Sequence, residues 1–277
     1  AGSQFGPYSI VGLLGRGGMG AVYDAVHAQL QRPVALKTLL GPSGDLEESQ
    51  RFVIEAQALG RLDHPHVVRL YDAGQVGGVL YIAMERVEGE SLHALLARGP
   101  LDPRAAAELV SGVAEGVSAA HGLGILHRDL KPDNVLLGRN GVPRLSDFGL
   151  ARIDRGRLTQ TGEVLGTPNF MAPEQALGDR ALQGPATDVY GLGGLLYASL
   201  CGASPFAHLA GALAVLDAVV NSSPRPLGAL CPGCPPDLVA VTARAMARDP
   251  EDRYPSAAAF KDDLQRFLRG EPVEARA

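Results

Sequence analysis

The sequence predicts an α+β protein of two lobes, a small β-rich N-terminal lobe that carries one key helix and a larger, mainly α-helical C-terminal lobe. In roughly the first 85 residues, short β-leaning runs are separated by Gly or polar turns, as in a meander. Beyond residue 85, apolar residues recur at helical spacing, and Gly, Pro and polar residues separate the helices. With 277 residues, of which 46% are hydrophobic, the chain can bury a sizeable core.

The N-terminal lobe is expected to contain five strands and one helix. The strands cover residues 8–14, 21–28, 33–39, 67–72 and 79–84, and Gly77-Gly78 joins the last two. The helix covers residues 47–62, where apolar residues recur at helical spacing. Acidic residues lie near its start, where the helix dipole favours them.

The C-terminal lobe is expected to be helical, with short strand-like pieces and turns between residues 126 and 153. The predicted helices cover residues 91–97, 103–122, 187–200, 210–220, 237–247 and 256–268. Residues 189–216 contain no Asp, Glu, Lys or Arg, which raises the question of a membrane span. Pro205, His208 and several Gly and Ser residues favour instead a buried helix ending near Leu200, a loop and a second helix.

The domain boundaries follow from this division of the chain. Residues 1–5 are a lead-in, in which Ala1-Gly2-Ser3 is interpreted as the remnant of a cleaved tag. Residues 6–87 form the small lobe with a hinge, and residues 88–269 form the large lobe. The polar residues 270–277 are interpreted as a tail or as the start of a linker.

Charge and cysteine content limit the classes of partner and compartment. A formal net charge of -5 and a sequence pI near 5.8 give no sign of a polyanion-binding surface, so nucleic acid and anionic membranes are not expected partners. Three cysteines are too few for a disulfide framework, and a reducing compartment is expected. Cys231 and Cys234 have the spacing of a redox or half-zinc site, but no second pair or flanking His accompanies them. A proline-rich loop is the preferred interpretation, and the redox or metal role is the alternative.

A glycine-rich segment lies between the first two predicted strands. Gly15, Gly17 and Gly20, with Gly18 inside the segment and Val22 after it, fit the spacing GxGxxGxV. The missing side chains let backbone amides approach phosphate groups closely. Because the segment lies between two strands and does not open a helix, a hairpin that covers a nucleotide fits better than a dinucleotide-binding turn.

Lys37 ends the apolar run Val34-Ala35-Leu36 on the next predicted strand, in a chain with only three lysines. A buried ammonium group needs a partner, since leaving it unpaired is strongly destabilising. Glu55 on the following helix is the expected partner, and the pair would hold Lys37 against the α- and β-phosphates of a nucleotide. A lysine that extends along an apolar surface to solvent is the alternative.

Residues 125–137 read ILHRDLKPDNVLL and place polar side chains between apolar runs. In phosphoryl transfer, Asp129 would accept the proton of the attacking hydroxyl and Lys131 would offset charge on the γ-phosphate. Asn134 would bind Mg²⁺ through its amide oxygen. Downstream, Asp147-Phe148-Gly149 supplies a second oxygen ligand for Mg²⁺, an apolar plug and a hinge glycine.

Together and in this order, these motifs resemble the protein kinase superfamily. They are the glycine-rich segment, Val34-Ala35-Leu36-Lys37, His127-Arg128-Asp129 with Asn134, Asp147-Phe148-Gly149 and Ala172-Pro173-Glu174. The resemblance covers almost the whole chain and is strongest to the bacterial serine/threonine kinases of the eukaryotic-like, Hanks type. It implies the bilobal protein kinase fold, ATP and Mg²⁺ as cofactors, with Mn²⁺ as an alternative ion, and protein substrates.

The resemblance also assigns residues around the adenine ring. Met84 takes the gatekeeper position, and the hinge from Glu85 to Val87 would bind adenine through its backbone. The purine would be enclosed by Val22, Ala35 and Leu136. A stack of side chains would bridge the lobes in the active state: Leu59, Leu70, His127 and Phe148.

Three charged residues of the large lobe would be structural by the same resemblance. Glu174 and Arg253 resemble the family's buried ion pair. Asp188 resembles the residue that braces the backbone of the catalytic loop. Loss of any of these charges would be expected to impair activity indirectly.

Regulation is predicted from the segment between Asp147-Phe148-Gly149 and Ala172-Pro173-Glu174. Arg128 resembles the arginine that binds a phosphate on this activation segment. Thr159 and Thr161 are the predicted sites of autophosphorylation in trans, and a flexible threonine-bearing loop is the alternative. Thr167 would bond the catalytic aspartate and Lys131, a pattern that resembles serine/threonine kinases more than tyrosine kinases.

The sequence therefore predicts an active serine/threonine protein kinase of signal transduction, whose partners are protein substrates and a second copy of itself in trans. The main alternative is a pseudokinase scaffold that binds nucleotide or partners without catalysis. A structural interaction domain and a small-molecule kinase are further alternatives. The resemblance is also compatible with a dimer through the small lobe. A cytoplasmic location is expected, as in the cytosolic domain of a membrane-anchored receptor kinase, with no membrane contact by this chain.

Overall fold

The computed structural model describes residues 3–17, 20–39, 52, 54, 56–148, 168–179 and 181–276. Within these residues the predicted α+β class is confirmed, since a β-sheet forms the N-terminal part and helices dominate the C-terminal part. The two parts meet at the segment that follows Glu85, where the last strand of the large sheet ends.

In the described part of the N-terminal lobe, one antiparallel sheet of six strands has the order β1-β2-β3-β4-β6-β5. The strands are β1 (Gln4–Phe5), β2 (Tyr8–Gly17), β3 (Gly20–His27), β4 (Arg32–Leu39), β5 (Leu70–Val76) and β6 (Val79–Glu85). A small core lies within it: Tyr8, Ala25, Val34, Leu36, Tyr81 and Ala83. All five predicted strands are present, and β1, with two residues, is too short to show a periodic pattern.

The fourth predicted strand begins later than expected, at Leu70 instead of residue 67. Val67 forms an isolated parallel bridge with Leu145 of the large lobe. The amide of Val68 also donates to the carbonyl oxygen of Leu145 at 2.9 Å. Val67 and Val68, the first two residues of the predicted strand, therefore join the two lobes through backbone contacts.

The helix of the small lobe is described only in part. Residues 52, 54 and 56–59 are helical and lie inside the predicted helix over 47–62. Phe52, Ala56 and Leu59 are buried in the main core, at the spacing of one helical face. The helix ends before Gly60, and the other predicted positions up to residue 55 lie outside the described residues.

The large lobe is built from helices whose bounds agree with prediction to within two residues for the longer elements. They are α1 (Leu92–Leu96), α2 (Pro103–His121), α3 (Pro173–Leu177), α4 (Pro185–Cys201), α5 (Ala212–Asn221), α6 (Leu227–Leu230), α7 (Pro236–Ala245) and α8 (Ala257–Arg269). Only α3 and α6, with five and four residues, were not predicted, because single helical turns carry little periodicity.

Helix α4 explains the long segment without charged residues. All residues from 187 to 200 are buried, so the helix is surrounded on every side because it passes through the centre of the lobe. The prediction of a buried helix, a loop and a second helix is confirmed, since α4 ends at Cys201 and α5 begins at Ala212. Among the described residues, no helix has the length and apolar character needed to cross a membrane.

A second sheet lies in the large lobe beside the junction of the lobes. Its strands β7 (Gly89–Ser91), β8 (Val135–Gly138) and β9 (Pro143–Leu145) are antiparallel, in the order β7-β8-β9. A Cβ at Gly89 would lie 1.7 Å from the carbonyl oxygen of Leu137, so only glycine permits this approach of β7 to β8. The strands of this short sheet flank the loops that hold the candidate site.

The polar residues after Gly270 pack against the large lobe. Val273 is buried, and the carboxylate of Asp263 accepts hydrogen bonds from the amides of Glu274 at 2.6 Å and Ala275 at 3.0 Å. Arg276 forms an ion pair with Asp237 of α7 at 2.8 Å. The segment predicted to be a tail or the start of a linker is thus docked as far as Arg276.

Candidate active site

Sheet register brings several predicted site residues to one face of the small lobe. Val22 lies opposite Lys37 in the β3–β4 ladder, and Ala35 lies opposite Met84 in the β4–β6 ladder. Directly opposite residues share a face of a sheet, and so do residues two apart on one strand. All four side chains therefore lie on the same face, which is the arrangement that a common ligand requires.

The glycine-rich segment forms the hairpin between β2 and β3. A Cβ at Gly15 or Gly17 would meet no atom within 4 Å, so packing does not demand glycine there. Gly20 differs, because its φ is +149° and a Cβ would lie 1.8 Å from the carbonyl oxygen of Thr38. The open space at Gly15 and Gly17 is what a phosphate group needs to approach the backbone. Gly18 lies outside the described residues.

Lys37 bridges the small lobe to the large lobe. Its Nζ lies 2.7 Å from Oδ1 of Asp147, and the two side chains are 14% and 31% exposed. Asp147 has a φ of +58°, a conformation that few residues other than glycine adopt. Glu55, the predicted partner of Lys37, lies outside the described residues. Asp147, which the sequence suggested only as a metal ligand, is the partner that the structure describes.

Asp129 contacts both of the other polar residues of the predicted catalytic loop. Lys131 Nζ donates to Asp129 Oδ2 at 3.0 Å. Asn134 Nδ2 donates to the same carboxylate oxygen at 3.2 Å and to the carbonyl oxygen of Asp129 at 2.8 Å. The 3₁₀ turn Pro132–Asn134 brings Asn134 back to Asp129 and leads directly into β8. Since the amide nitrogen of Asn134 is used by Asp129, its amide oxygen is the atom that a cation could bind.

Asp188, near the start of α4, holds the backbone that precedes Asp129. Its carboxylate is buried and accepts hydrogen bonds from the amides of His127 at 2.8 Å and Arg128 at 2.7 Å. Nε2 of His121, at the end of α2, lies 2.8 Å from the same carboxylate. Two hydrogen bonds to a buried residue of α4 therefore fix a loop whose residue Arg128 has a φ of +63°.

Arg128 is exposed, and its carbonyl oxygen accepts a hydrogen bond from Gln175 of α3 at 2.9 Å. This bond joins the loop to the helix that follows the activation segment. Thr159, Thr161 and Thr167 lie outside the described residues, and so does the contact predicted between Thr167 and the catalytic loop.

His127 and Phe148 form part of the predicted stack between the lobes. Their ring centroids are 4.7 Å apart, and both residues are buried. Burial lowers the pKa of His127, which keeps the ring neutral. The neutral ring donates from Nε2 to the carbonyl oxygen of Ser146 at 2.9 Å and accepts at Nδ1 from the amide of Asp129 at 3.2 Å. Leu59 and Leu70 belong to the same core.

A small cleft, partly open to solvent, lies between these elements. It is lined by Lys37, Leu39, Leu59, Val68, Leu70, Ile82, Met84, Ser146, Asp147 and Phe148. Its walls are mostly apolar, and the Lys37–Asp147 pair is its charged element. The predicted adenine contacts Val22, Ala35 and Leu136 do not line this cleft.

The hinge is held by ion pairs from both lobes. The side chain of Glu85 pairs with Arg144 of β9, and its amide donates to the carbonyl oxygen of Arg69 at 2.8 Å. The next residue, Arg86, pairs with Asp24 of β3 at 3.0 Å. The side chains of Glu85 and Arg86 therefore bind side chains of β9 and β3. The hinge ends at Val87, which is half-buried.

Glu174 and Arg253 form a buried ion pair in the large lobe. Nη1 and Nη2 of Arg253 lie 2.8 Å and 2.9 Å from the two carboxylate oxygens of Glu174. The side chain of Arg253 is 0% exposed and that of Glu174 is 2% exposed. Thr187 donates a further hydrogen bond to Glu174 at 2.8 Å. The pair joins α3, which follows the activation segment, to the loop before α8.

His121 is one of two site residues that the sequence did not predict. Its contact with Asp188 spans 67 positions and belongs to no motif. The signal available was weak, a single His at the end of an amphipathic helix. Arg144 was missed for the same reason, because its partner Glu85 is 59 positions away.

Comparison with known proteins agrees with this geometry. The family model described as protein kinase domain matches residues 8–263. The serine/threonine-protein kinase PknH of Mycobacterium tuberculosis is 42% identical over 260 residues, which cover 92% of this chain and 41% of PknH. PknD of the same species is 42% identical over 92% of this chain and 39% of its own length. The chain thus spans about two fifths of the length of these curated relatives.

The fold comparison gives the same result. The crystal structure of the Mycobacterium tuberculosis PknI kinase domain superposes with a TM-score of 0.77 at 30% identity. The match covers 95% of this chain and 97% of that one. The resemblance inferred from the motifs is confirmed, as is the bilobal fold. This chain belongs to the protein kinase family.

Proposed function

We propose that this chain is the catalytic domain of a bacterial serine/threonine protein kinase, which transfers the γ-phosphate of ATP to Ser and Thr hydroxyls of proteins. The observation that carries the proposal is that two charged clusters lie on bonded segments, since the amide of Ser146, the residue before Asp147, donates to the carbonyl oxygen of Asn134 at 2.8 Å. Lys37 pairs with Asp147 at 2.7 Å, and Asp129 contacts both Lys131 and Asn134. The relatives named serine/threonine-protein kinases support the enzyme over the pseudokinase alternative.

In this mechanism Asp129 orients the substrate hydroxyl and accepts its proton as the oxygen attacks the γ-phosphorus. Lys131, whose Nζ is 3.0 Å from Asp129, offsets negative charge on the transferring phosphoryl group. Lys37 binds the α- and β-phosphates, and the amides of the glycine-rich hairpin cover them. Asp188 and His121 act indirectly, because they hold the loop that carries Asp129.

Protein kinases in general use ATP together with a divalent metal. The oxygen atoms of Asn134 and Asp147 are hard donors that suit Mg²⁺, and we assign this ion to them, with Mn²⁺ as the alternative. When bound, the ion supplies positive charge beside the phosphate oxygens. The contact of Lys37 with Asp147 Oδ1 would keep that carboxylate turned toward the phosphates.

Phosphate transfer from Mg-ATP to a generic basic protein, followed by mass spectrometry of the phosphorylated sites, tests the proposal. We expect phosphate on Ser and Thr residues of the substrate and of the chain itself, and none on Tyr. A pseudokinase would bind a fluorescent ATP analogue and yield no phosphopeptide. The absence of transfer by folded, nucleotide-binding protein would therefore refute the proposal.

The activation segment yields a prediction about regulation. Replacement of both Thr159 and Thr161 by alanine is expected to lower phosphotransfer at least tenfold, because Arg128 would lose the phosphate group that orders the segment by charge-assisted hydrogen bonds. The assay compares initial rates of the two proteins after preincubation with Mg-ATP. Phosphatase treatment of the parent protein should reproduce the loss. Equal rates for the variant and the preincubated parent would contradict the role of these threonines.

The glycine-rich hairpin yields a prediction about nucleotide affinity. Gly17→Val should raise KM for ATP by about tenfold, since a side chain in the open space would prevent an amide-to-phosphate hydrogen bond. The midpoint of thermal unfolding should not change, because no protein atom lies within 4 Å of the new Cβ. Gly12→Val on the same strand, where the space is equally open, is the matched control. A similar rise of KM in both variants would show that the hairpin itself was disturbed.

The remaining assignments concern location and partners. We propose a cytoplasmic location, as the cytosolic domain of a receptor kinase, with proteins as substrates. A second copy of the chain is the proposed partner for phosphorylation in trans, either transiently or as a dimer through the small lobe. Neither nucleic acid nor a membrane surface is proposed as a partner, which agrees with the net charge of -5.

A further inference from the structure

The three cysteines of the chain lie near one another in the large lobe, although Cys201 is far from the other two in the sequence. Cys201 ends α4, Cys231 directly follows α6, and Cys234 lies two residues before α7. Cys234 belongs to the main hydrophobic core, and Cys201 and Cys231 pack against that core. Cys201 is close enough to interact electrostatically with both. All three cysteines of the 277-residue chain therefore lie in one region of the large lobe.

The backbone between Cys231 and Cys234 has the geometry that a disulfide needs. Pro232 and Gly233 occupy the centre of a turn, which is closed by a hydrogen bond from the amide of Cys234 to the carbonyl oxygen of Cys231 at 2.9 Å. The end residues of such a turn have Cα atoms less than about 7 Å apart. A disulfide spans roughly 4.4–6.8 Å between Cα atoms, so the bond can form without rearrangement of the turn.

Burial assigns different roles to the three thiols. Cys234 is only 7% exposed, and burial raises its pKa to about 11. Burial also raises the pKa of Cys201. Cys231 is half-buried and therefore more exposed than Cys234, so an oxidant from solvent reaches it first. Among the described residues, which include all three cysteines, no group of three or more His, Cys, Asp or Glu residues has an arrangement that could hold a metal ion.

We propose that Cys231 and Cys234 are a reversible dithiol–disulfide site that is oxidised by hydrogen peroxide. The sulfur of Cys231 attacks one peroxide oxygen, an S–O bond forms as the O–O bond breaks, and water leaves. The sulfur of Cys234 then attacks the sulfenic sulfur, the S–S bond forms as the S–O bond breaks, and a second water leaves. Two thiols are oxidised by two electrons in total, and one peroxide is reduced to two waters. A dithiol reductant reverses the reaction by exchange.

Treatment of the folded chain with an equimolar amount of hydrogen peroxide, followed by thiol alkylation and digestion before Asp residues, tests the proposal. Cleavage at Asp188, Asp217 and Asp237 separates Cys201, in residues 188–216, from the pair, in residues 217–236. We expect the peptide 217–236 to lose both alkylation sites and two hydrogen atoms, and the peptide 188–216 to remain alkylated. Dithiothreitol before alkylation should restore both sites.

Two variants separate the pair from its neighbour. Cys201→Ser should still form the disulfide, whereas Cys234→Ser should not, and should instead leave Cys231 as a sulfenic acid that dimedone traps. Three outcomes would overturn the proposal: alkylation of all three thiols after peroxide, a cross-link between the two peptides, or sulfinic acid at Cys231 of the parent protein without a disulfide. Thermal unfolding of each variant, measured in parallel, ensures that the thiols are compared in folded protein.

Discussion

Asp129→Asn is expected to reduce the rate of phosphotransfer by about 10²- to 10⁴-fold, the usual contribution of a general base. Asparagine has the shape of aspartate, and its side-chain oxygen can still accept the hydrogen bond from Lys131, which spans 3.0 Å in the parent protein. Asp188 holds the loop independently through the amides of His127 and Arg128. The variant should therefore keep its fold and its affinity for ATP, and lose only the group that accepts the proton.

The measurements are initial rates with a saturating protein substrate, binding of a fluorescent ATP analogue and the midpoint of thermal unfolding. Asp262→Asn is the matched control, since it removes the same charge from an exposed position on α8. The control should transfer phosphate at the parent rate. If Asp129→Asn retained more than a tenth of the parent rate, the role of Asp129 as proton acceptor would be wrong.

The elements that carry the site could be predicted from the sequence because each is encoded locally. Glycines at β-turns, alternating apolar runs and the contiguous segment around Asp129 all lie within a few residues of the structure they produce. The contacts of Asp129 with Lys131 and Asn134 follow from that proximity, since one 3₁₀ turn joins them. The register of β3 against β4 then places Val22 opposite Lys37, and this register is determined by the two strands and the hairpin that joins them.

Contacts between distant segments could not be predicted in the same way. Lys37 and Asp147 are 110 positions apart, and their 2.7 Å contact depends on the left-handed backbone of Asp147. Asp188 meets His121 only because α4 runs through the centre of the lobe, whereas its contact with the catalytic loop was expected from the family resemblance. The approach of Cys201 to the later cysteines has the same origin. Such contacts depend on how helices pack, which a single sequence does not encode by spacing.

The ion pair of Glu174 and Arg253 carries the second large expected effect. All five N–H groups of Arg253 donate hydrogen bonds: two to Glu174 and three to the carbonyl oxygens of Ala186, Ala247 and Arg248. The guanidinium also lies 5.0 Å from the ring centroid of Tyr190. Lysine has no fork of donors, so it cannot replace these contacts. Arg253 therefore bonds to four groups at once, which are one carboxylate and three backbone carbonyl groups.

Arg253→Met is expected to lower the free energy of unfolding by about 3–5 kcal/mol, because Glu174 and three carbonyl groups would remain buried without their partner. Urea denaturation at neutral pH measures this loss. Arg253→Lys should be nearly as destabilising, whereas Glu174→Gln combined with Arg253→Met should cost less than the sum of the two single changes. Additive effects would contradict direct coupling between the two side chains.

The same pair predicts how stability depends on pH. Burial opposes ionisation of Glu174, but the hydrogen bonds and charge of Arg253 outweigh it and hold the pKa of Glu174 below its usual range. A carboxyl group whose pKa is lowered by folding stabilises the protein above its unfolded pKa of about 4.3 and loses that contribution as the pH falls through the folded value. The difference in unfolding free energy between the parent and Glu174→Gln should therefore be largest at neutral pH and shrink in acid. Glu271→Gln, which breaks an exposed pair with Arg269, should show a much weaker dependence, because Arg269 also lowers the pKa of Glu271 but solvent screens that contact.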